Sequence, residues 1–258
     1  GRTPTLDAIE WMGLATGGSG DALPLRSIDV VADRLLLLGG DFAGARLRAQ
    51  PSAAGTDVRV DSPRLAGSLS IPRAERAPVT GSFARVFWSA PPKKNDTDAP
   101  ASNKESPAGD DVDPASVPPL DIAIDELRFG NAMLGKAEVH TRPVAGGLRI
   151  EKLQTRSPEQ RIDVGGDWLG RGASARTHLK VDVHSEDFGA LLAGVGYEGR
   201  MAGGEGEAHL DATWPGSPAR FRLANLQGTF TLAARDGQLV DVEPGAGRVL
   251  GLLSVAEL

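Results

Sequence analysis

The sequence predicts an all-β protein: an internally repeated sheet of antiparallel strands with only a few short helices. Three observations predict it. Apolar and charged residues alternate with a period of two along most of the chain. The alternating runs are separated by Gly, Pro, Asn and Asp, as at Gly39-Gly40, Gly146-Gly147 and Asp236-Gly237. One block of strand-like sequence also recurs at a fixed spacing, as stacked units that share one core would require.

In chain order, Leu6–Leu14 has helical spacing, and Ile28–Leu35 opens the first strand-rich stretch. Residues 91–119 hold almost no large apolar side chain; proline, charge, serine and alanine dominate. Such a stretch buries too little surface to offset its ordering entropy and is expected to be an unstructured loop. It divides the chain into a section at 1–90 and a section at 120–258. Leu120–Leu127 repeats Ile28–Leu35 after 92 positions, and at that offset Ala45 matches Ala137, Pro51 matches Pro143 and Gly55 matches Gly147. After a short insertion Ser62-Pro63 matches Ser157-Pro158, and Thr5–Leu14 recurs weakly as Ser185–Gly194.

The clearest strand is Ala175–Val183, with Leu179, Val181 and Val183 on one side and Arg176, His178, Lys180 and Asp182 on the other. The same alternation sets Leu120, Ile122, Ile124, Val139, Leu148, Ile150, Ile162, Val164, Leu210, Phe221, Leu223, Phe230 and Leu232 on the apolar side of their strands. A sheet with one dry and one wet face produces this pattern. Ser185 is placed to N-cap a helix over Glu186–Val195, with Glu186 and Asp187 in its first turn. A further helix is expected after Pro244-Gly245.

Composition narrows the function. With 258 residues the chain is long enough to bury a core, and it contains no cysteine, hence no disulfide framework or thiol chemistry. A net charge of −6 with both signs interspersed includes no basic block for nucleic acid. Aromatic residues, at 5%, are too few for the girdles of an outer-membrane barrel. No apolar run reaches the roughly 20 residues that span a bilayer. The chain starts without methionine and stops inside an apolar run at Val249–Val255, so it reads as a piece of something longer.

No constellation points to catalysis, a metal or a cofactor. His140, His178 and His209 fall on charged strand faces, and His184 sits just past a strand end. None has metal-ligand spacing. Gly17–Gly20 lacks the lysine and the strand–helix context of a phosphate loop. Asp29 and Asp33, echoed by Asp121 and Asp125, recur with the repeat on the outer face and read as solubility charges. What remains is the apolar face. It is either the inner side of a β-sandwich, as in a structural or adhesion repeat of a surface protein, or the lining of an open groove.

The residues from 179 onward carry a resemblance. Leu179–Val183, Asp187–Leu192, Trp214-Pro-Gly-Ser-Pro and Pro244-Gly-Ala-Gly-Arg-Val-Leu-Gly-Leu-Leu-Ser254 resemble, in combination, the AsmA-like C-terminal region of the YhdP proteins of Gram-negative bacteria. Residues 1–178 match the preceding repeats of that family in pattern only. The resemblance implies a curved, groove-shaped β-sheet in the periplasm and an inner-membrane anchor outside this chain. It also implies a non-enzymatic role in carrying phospholipid toward the outer membrane. On that reading the apolar residues named above line the groove, and no single polar pocket is needed.

Overall fold

The computed structural model describes residues 1–8, 27–37, 40–74, 76–89, 113–196, 198–199, 201–220 and 225–239. The strands are β1 (Arg2–Asp7), β2 (Ile28–Leu37), β3 (Gly40–Pro51), β4 (Gly55–Asp61), β5 (Leu65–Pro72), β6 (Val79–Trp88) and β7 (Leu120–Phe129). They continue as β8 (Ala132–Val144), β9 (Gly147–Arg156), β10 (Gln160–Leu169), β11 (Arg176–Ser185), β12 (Met201–Pro215) and β13 (Gln227–Leu239). One α-helix, α1 (Phe188–Gly194), lies between β11 and β12. Among the described residues the strands pair in chain order into a single 13-stranded sheet that does not close into a barrel.

The repeat seen in the sequence is a unit of five strands. Ile28 and Leu120 open β2 and β7, Ala45 and Ala137 are both buried in β3 and β8, and Gly55 and Gly147 open β4 and β9. Those two glycines have the same physical reason. A Cβ on Gly55 would lie 2.0 Å from the Ile71 carbonyl oxygen, and one on Gly147 would lie 2.1 Å from that of Trp168. The Ser-Pro pairs also make equivalent turns. The Ser62 and Ser157 hydroxyls accept hydrogen bonds from the amides of Leu65 and Gln160, at 2.9 and 3.2 Å.

The structure corrects the sequence reading at four places. The sheet is mixed, because β1 pairs with β2 and β6 with β7 in parallel, while the remaining neighbours are antiparallel. Alternation carries no information about strand direction, whereas a parallel pair needs a long crossover. Second, Leu6 and Asp7 belong to β1; of the predicted first helix only the start at Ala8 is described, and residues 9–14 lie outside the described residues. Third, the cap of α1 is Asp187, whose carboxylate accepts from the Ala190 amide at 2.8 Å. Ser185 ends β11 and accepts from the Asp187 amide. Fourth, residues 113–119 of the predicted loop are ordered. Asp113 forms an ion pair with Arg171, Pro114 is fully buried, and the Pro119 carbonyl accepts from Val79 at 2.8 Å. The rest of that loop, and the helix expected after Pro244, lie outside the described residues.

The parallel pairing supplies a role for the loop's length. Val79 faces Leu120 while Trp88 faces Phe129, so the chain must return along the whole strand before β7 begins. Nine residues of strand span about 30 Å, and a return needs about as many extended residues. Trimming residues 92–104 is therefore expected to leave the melting temperature within a few degrees, since a change in loop length costs little once the ends can still be joined. Removing 90–116 is expected to break the β6–β7 junction, read as loss of amide protection in both strands.

Curvature follows from α1. Its Gly189 packs against Met201 and Gly203 at the start of β12, and its Gly194 against Ala132 at the start of β8. The five residue steps from Gly189 to Gly194 cover about 7.5 Å of helix axis. Four strand steps along a flat sheet would cover about 19 Å. The sheet must curl for one short helix to reach both strands, and α1 lies on the inner side of the curl. Among the described residues no second sheet covers the apolar face.

Candidate functional site: the apolar face

Cross-strand register turns the alternation into continuous rows. A central row runs Ile28–Ala49–Val58–Leu69–Gly81–Ile122–Val139–Leu153–Val164–Val181–Leu210–Phe230, one residue from each strand β2 to β13. Its one gap, Gly81, is filled from both sides. A Cβ there would meet Leu69 Cδ2 at 2.5 Å and Ile122 Cδ1 at 2.9 Å. A second row, toward the α1 rim, runs Phe83–Ile124–Ala137–Thr155–Ile162–Val183–Ala208–Leu232. On the other side of the central row come Thr141–Ile150–Gly166–Leu179–Ala212, with Leu120 level with Thr141, whose hydroxyl accepts from the Leu120 amide. The outermost row is Pro143–Leu148–Trp168–Thr177–Trp214.

The face changes character along the sheet. In β2–β6 it is a packed core: Phe42 and Ala45 are 0% exposed, Leu35 and Leu65 are 2% exposed, and Leu47, Val58, Val60, Ile71, Val79, Phe83 and Val86 are buried around them. Phe42 meets Trp88 edge-on, with centroids 5.7 Å apart. Ile28 and Leu69 of the central row, and Leu120, Ile122 and Ile124 of β7, are half-buried and pack against this core. From β8 onward the central row is half-buried on every strand to β12, and Phe230 on β13 is 44% exposed. The same alternating pattern is thus a closed core in one section and an open apolar strip in the other.

Of the residues singled out in the sequence, Leu120, Ile122, Ile124, Val139, Ile150, Ile162, Val164, Leu179, Val181, Leu210 and Leu232 lie on this face and are half-buried. Leu148 lies on it and is buried, and Phe230 is exposed. Phe221 and Leu223 lie outside the described residues. Sequence reading missed Leu153, because β9 carries a bulge. Ile150 is level with Gly166 and Leu153 with Val164, so two residues of β9, Glu151 and Lys152, face one of β10, Gly165. The extra residue inverts the phase, and a period-two count from Ile150 puts Leu153 on the wrong face. The insertion noted between the two repeats falls in the same stretch.

The outer face is held by cross-strand ion pairs. Asp29 pairs with Arg46 at 2.6 Å and Arg48 at 3.2 Å, Asp33 with Arg2 at 2.8 Å, and Asp121 with His140 at 3.0 Å. His178 and Lys180 share Asp211, and His209 pairs with Asp182. Hydrogen bonding from Arg46, above all, lowers the Asp29 carboxyl to about 2. A depressed carboxyl favours folding above its ordinary value, and that contribution is lost as pH falls through the folded value. An NMR titration is expected to place the Asp29 midpoint near pH 2 and to move it upward in Arg46→Ala, toward the ordinary 3.8. These carboxylates serve the wet face, in high dielectric, where such pairs contribute little individually.

Comparison with known proteins gives one result. The family model described as YhdP protein matches residues 1–258. No curated protein and no solved structure matches the chain.

Proposed function

Because the chain belongs to the YhdP protein family, a family of bacterial envelope proteins associated with lipid transport, we propose that it is a segment of a phospholipid conduit between the inner and outer membranes. The observation that carries this reading is the central row from Ile122 to Phe230. It is apolar on every strand, continuous across seven neighbours and open to solvent. A covered methylene contributes about 0.8 kcal/mol, so an acyl chain lying along such a row is held by many equal small contacts. Near-equal contacts from strand to strand leave no deep trap, and a lipid passes along the row rather than lodging in one site. Head groups remain in water, which is why no polar pocket is required. The role is non-enzymatic, in the periplasm, with anchorage in the inner membrane. The rival reading, a sandwich repeat of a surface protein, needs a second sheet on the apolar face.

Mass spectrometry of lipid co-purified with the intact protein tests the proposal. Phospholipid retained in stoichiometric or higher amounts, and lost when Val164 and Val181 are both replaced by aspartate, is the expected result. Protein that copurifies with no lipid under mild detergent would overturn it.

A further inference from the structure

The open strip is narrower than the apolar face, and two separate elements narrow it. At one rim α1 lies against the starts of β8 and β12. The Asn131 amide donates to the Gly194 carbonyl at 2.8 Å, and a Cβ on Gly194 would stand 2.7 Å from Ala132 Cβ, so the helix end touches the strand backbone. On this side Ala132, Ala137, Thr155 and Ala208 are buried. At the other rim the chain leaves β12 and folds back over the outermost row. The Thr177 hydroxyl donates to the Gly216 carbonyl at 2.8 Å, the Trp214 indole donates to the Ser217 carbonyl at 3.1 Å, and the Gly216 amide donates to Ala175 at 2.8 Å. Leu148, Thr177 and Trp214 are buried there, with Thr177 at 0% exposure. Between these rims the residues stay half-buried at Val139, Leu153, Val164, Val181 and Leu210, beside them at Ile150 and Leu179 on one side, and at Ile124, Ile162, Val183 and Leu232 on the α1 side.

We propose that α1 and the Gly216–Arg220 turn are bookends that confine an acyl chain to the central row and its half-buried neighbours, Ile162–Val183 on one side and Ile150–Leu179 on the other, and so set the track along which it lies. The inference rests on the conduit reading and deepens it. The residue types are those the task needs. The Gly194 carbonyl of the helix accepts from an amide, and the Gly216 and Ser217 carbonyls of the turn accept from a hydroxyl and an indole. Gly194 allows the helix to sit at backbone contact, where any larger residue would lift it. Trp214-Pro-Gly-Ser-Pro builds the second bookend by turning the chain back at Gly216, whose φ of +93° suits glycine.

The test is photolabelling of the intact protein in its membrane with a diacyl phospholipid bearing a diazirine midway along one acyl chain, read by peptide mass spectrometry. Label is expected on Leu153, Val164, Leu179, Val181 and Leu210, and none on Ala137, Ala208, Thr177 or Trp214. Gly194→Val is expected to extend label to Ala137 and Ala208, and Thr177→Val to extend it to Trp214. Should Gly194→Val fail to fold, replacing Phe188–Gly194 by a Gly/Ser linker makes the same comparison. Label on Ala137, Ala208, Thr177 and Trp214 of the unaltered protein would overturn the bookends and leave the conduit standing. An unchanged label pattern in variants that fold would do the same. Absence of label from every inner row would overturn the conduit reading itself.

Discussion

Val181→Asp is expected to abolish lipid transport by the intact protein while leaving its sheet folded. Val181 sits in the central row between Val164 and Leu210 and is half-buried. In the empty strip the new carboxylate keeps contact with water, so folding loses little. Once an acyl chain covers it, that water is removed and nothing nearby replaces it, since the facing residues are Val164 and Leu210. Desolvating an unpaired polar or charged group costs several kcal/mol. A methylene gains only about 0.8 kcal/mol. The charge therefore outweighs several contacts at the one place every lipid must cross, and a barrier of about 3 kcal/mol slows passage roughly a hundredfold. Protease resistance and melting temperature measured beside transport separate the readings. A folded, inactive variant supports the conduit. An unfolded one would mean that this row is packed as a core, and a folded, fully active one would remove the strip from the function.

Phe42→Ala is expected to have the opposite signature, a large loss of stability in the β2–β6 section. Phe42 is fully buried, edge-on to Trp88, with Leu35 and Val86 in the same cluster. Deleting a buried aromatic removes its transfer free energy and leaves a cavity, at about 3–5 kcal/mol. Whole domains are stable by only about 5–15 kcal/mol. Denaturant unfolding is expected to show a midpoint shift of that size for Phe42→Ala. Val164→Ala, at a half-buried position that already faces water, is expected to cost about 1 kcal/mol. Equal losses at the two positions would contradict the division into a closed and an open section.

Sheet neighbours and faces were largely legible because both are local properties. Alternation in Arg176–Ser185 sets Leu179 and Val181 on one side and Lys180 and Asp182 on the other whatever the rest of the chain does, since successive side chains of a strand point oppositely. The repeat was legible for a related reason. Gly55 and Gly147 each sit against a neighbouring carbonyl, and Ser62 and Ser157 each close a turn, so equal local geometry demanded equal residues. Leu153 was illegible because a bulge belongs to a pair of strands, and one strand's sequence does not say where its neighbour has one residue fewer.

By itself, the sequence determined that the chain is a repeated sheet with one apolar and one charged face, and which family it resembles. The tertiary structure alone decided that β1–β2 and β6–β7 run parallel, because strand direction depends on where a crossover re-enters the sheet. It also decided that Leu47 and Val58 are core while Val164 and Val181 are open. Their side chains are alike, and facing inward is a matter of backbone alternation. Being covered depends on how tightly the sheet curls and on what lies against it: Ala8 joins the cluster that holds Leu47 and Val58, whereas the seven-residue helix and the turn reach only the rims on either side of Val164 and Val181.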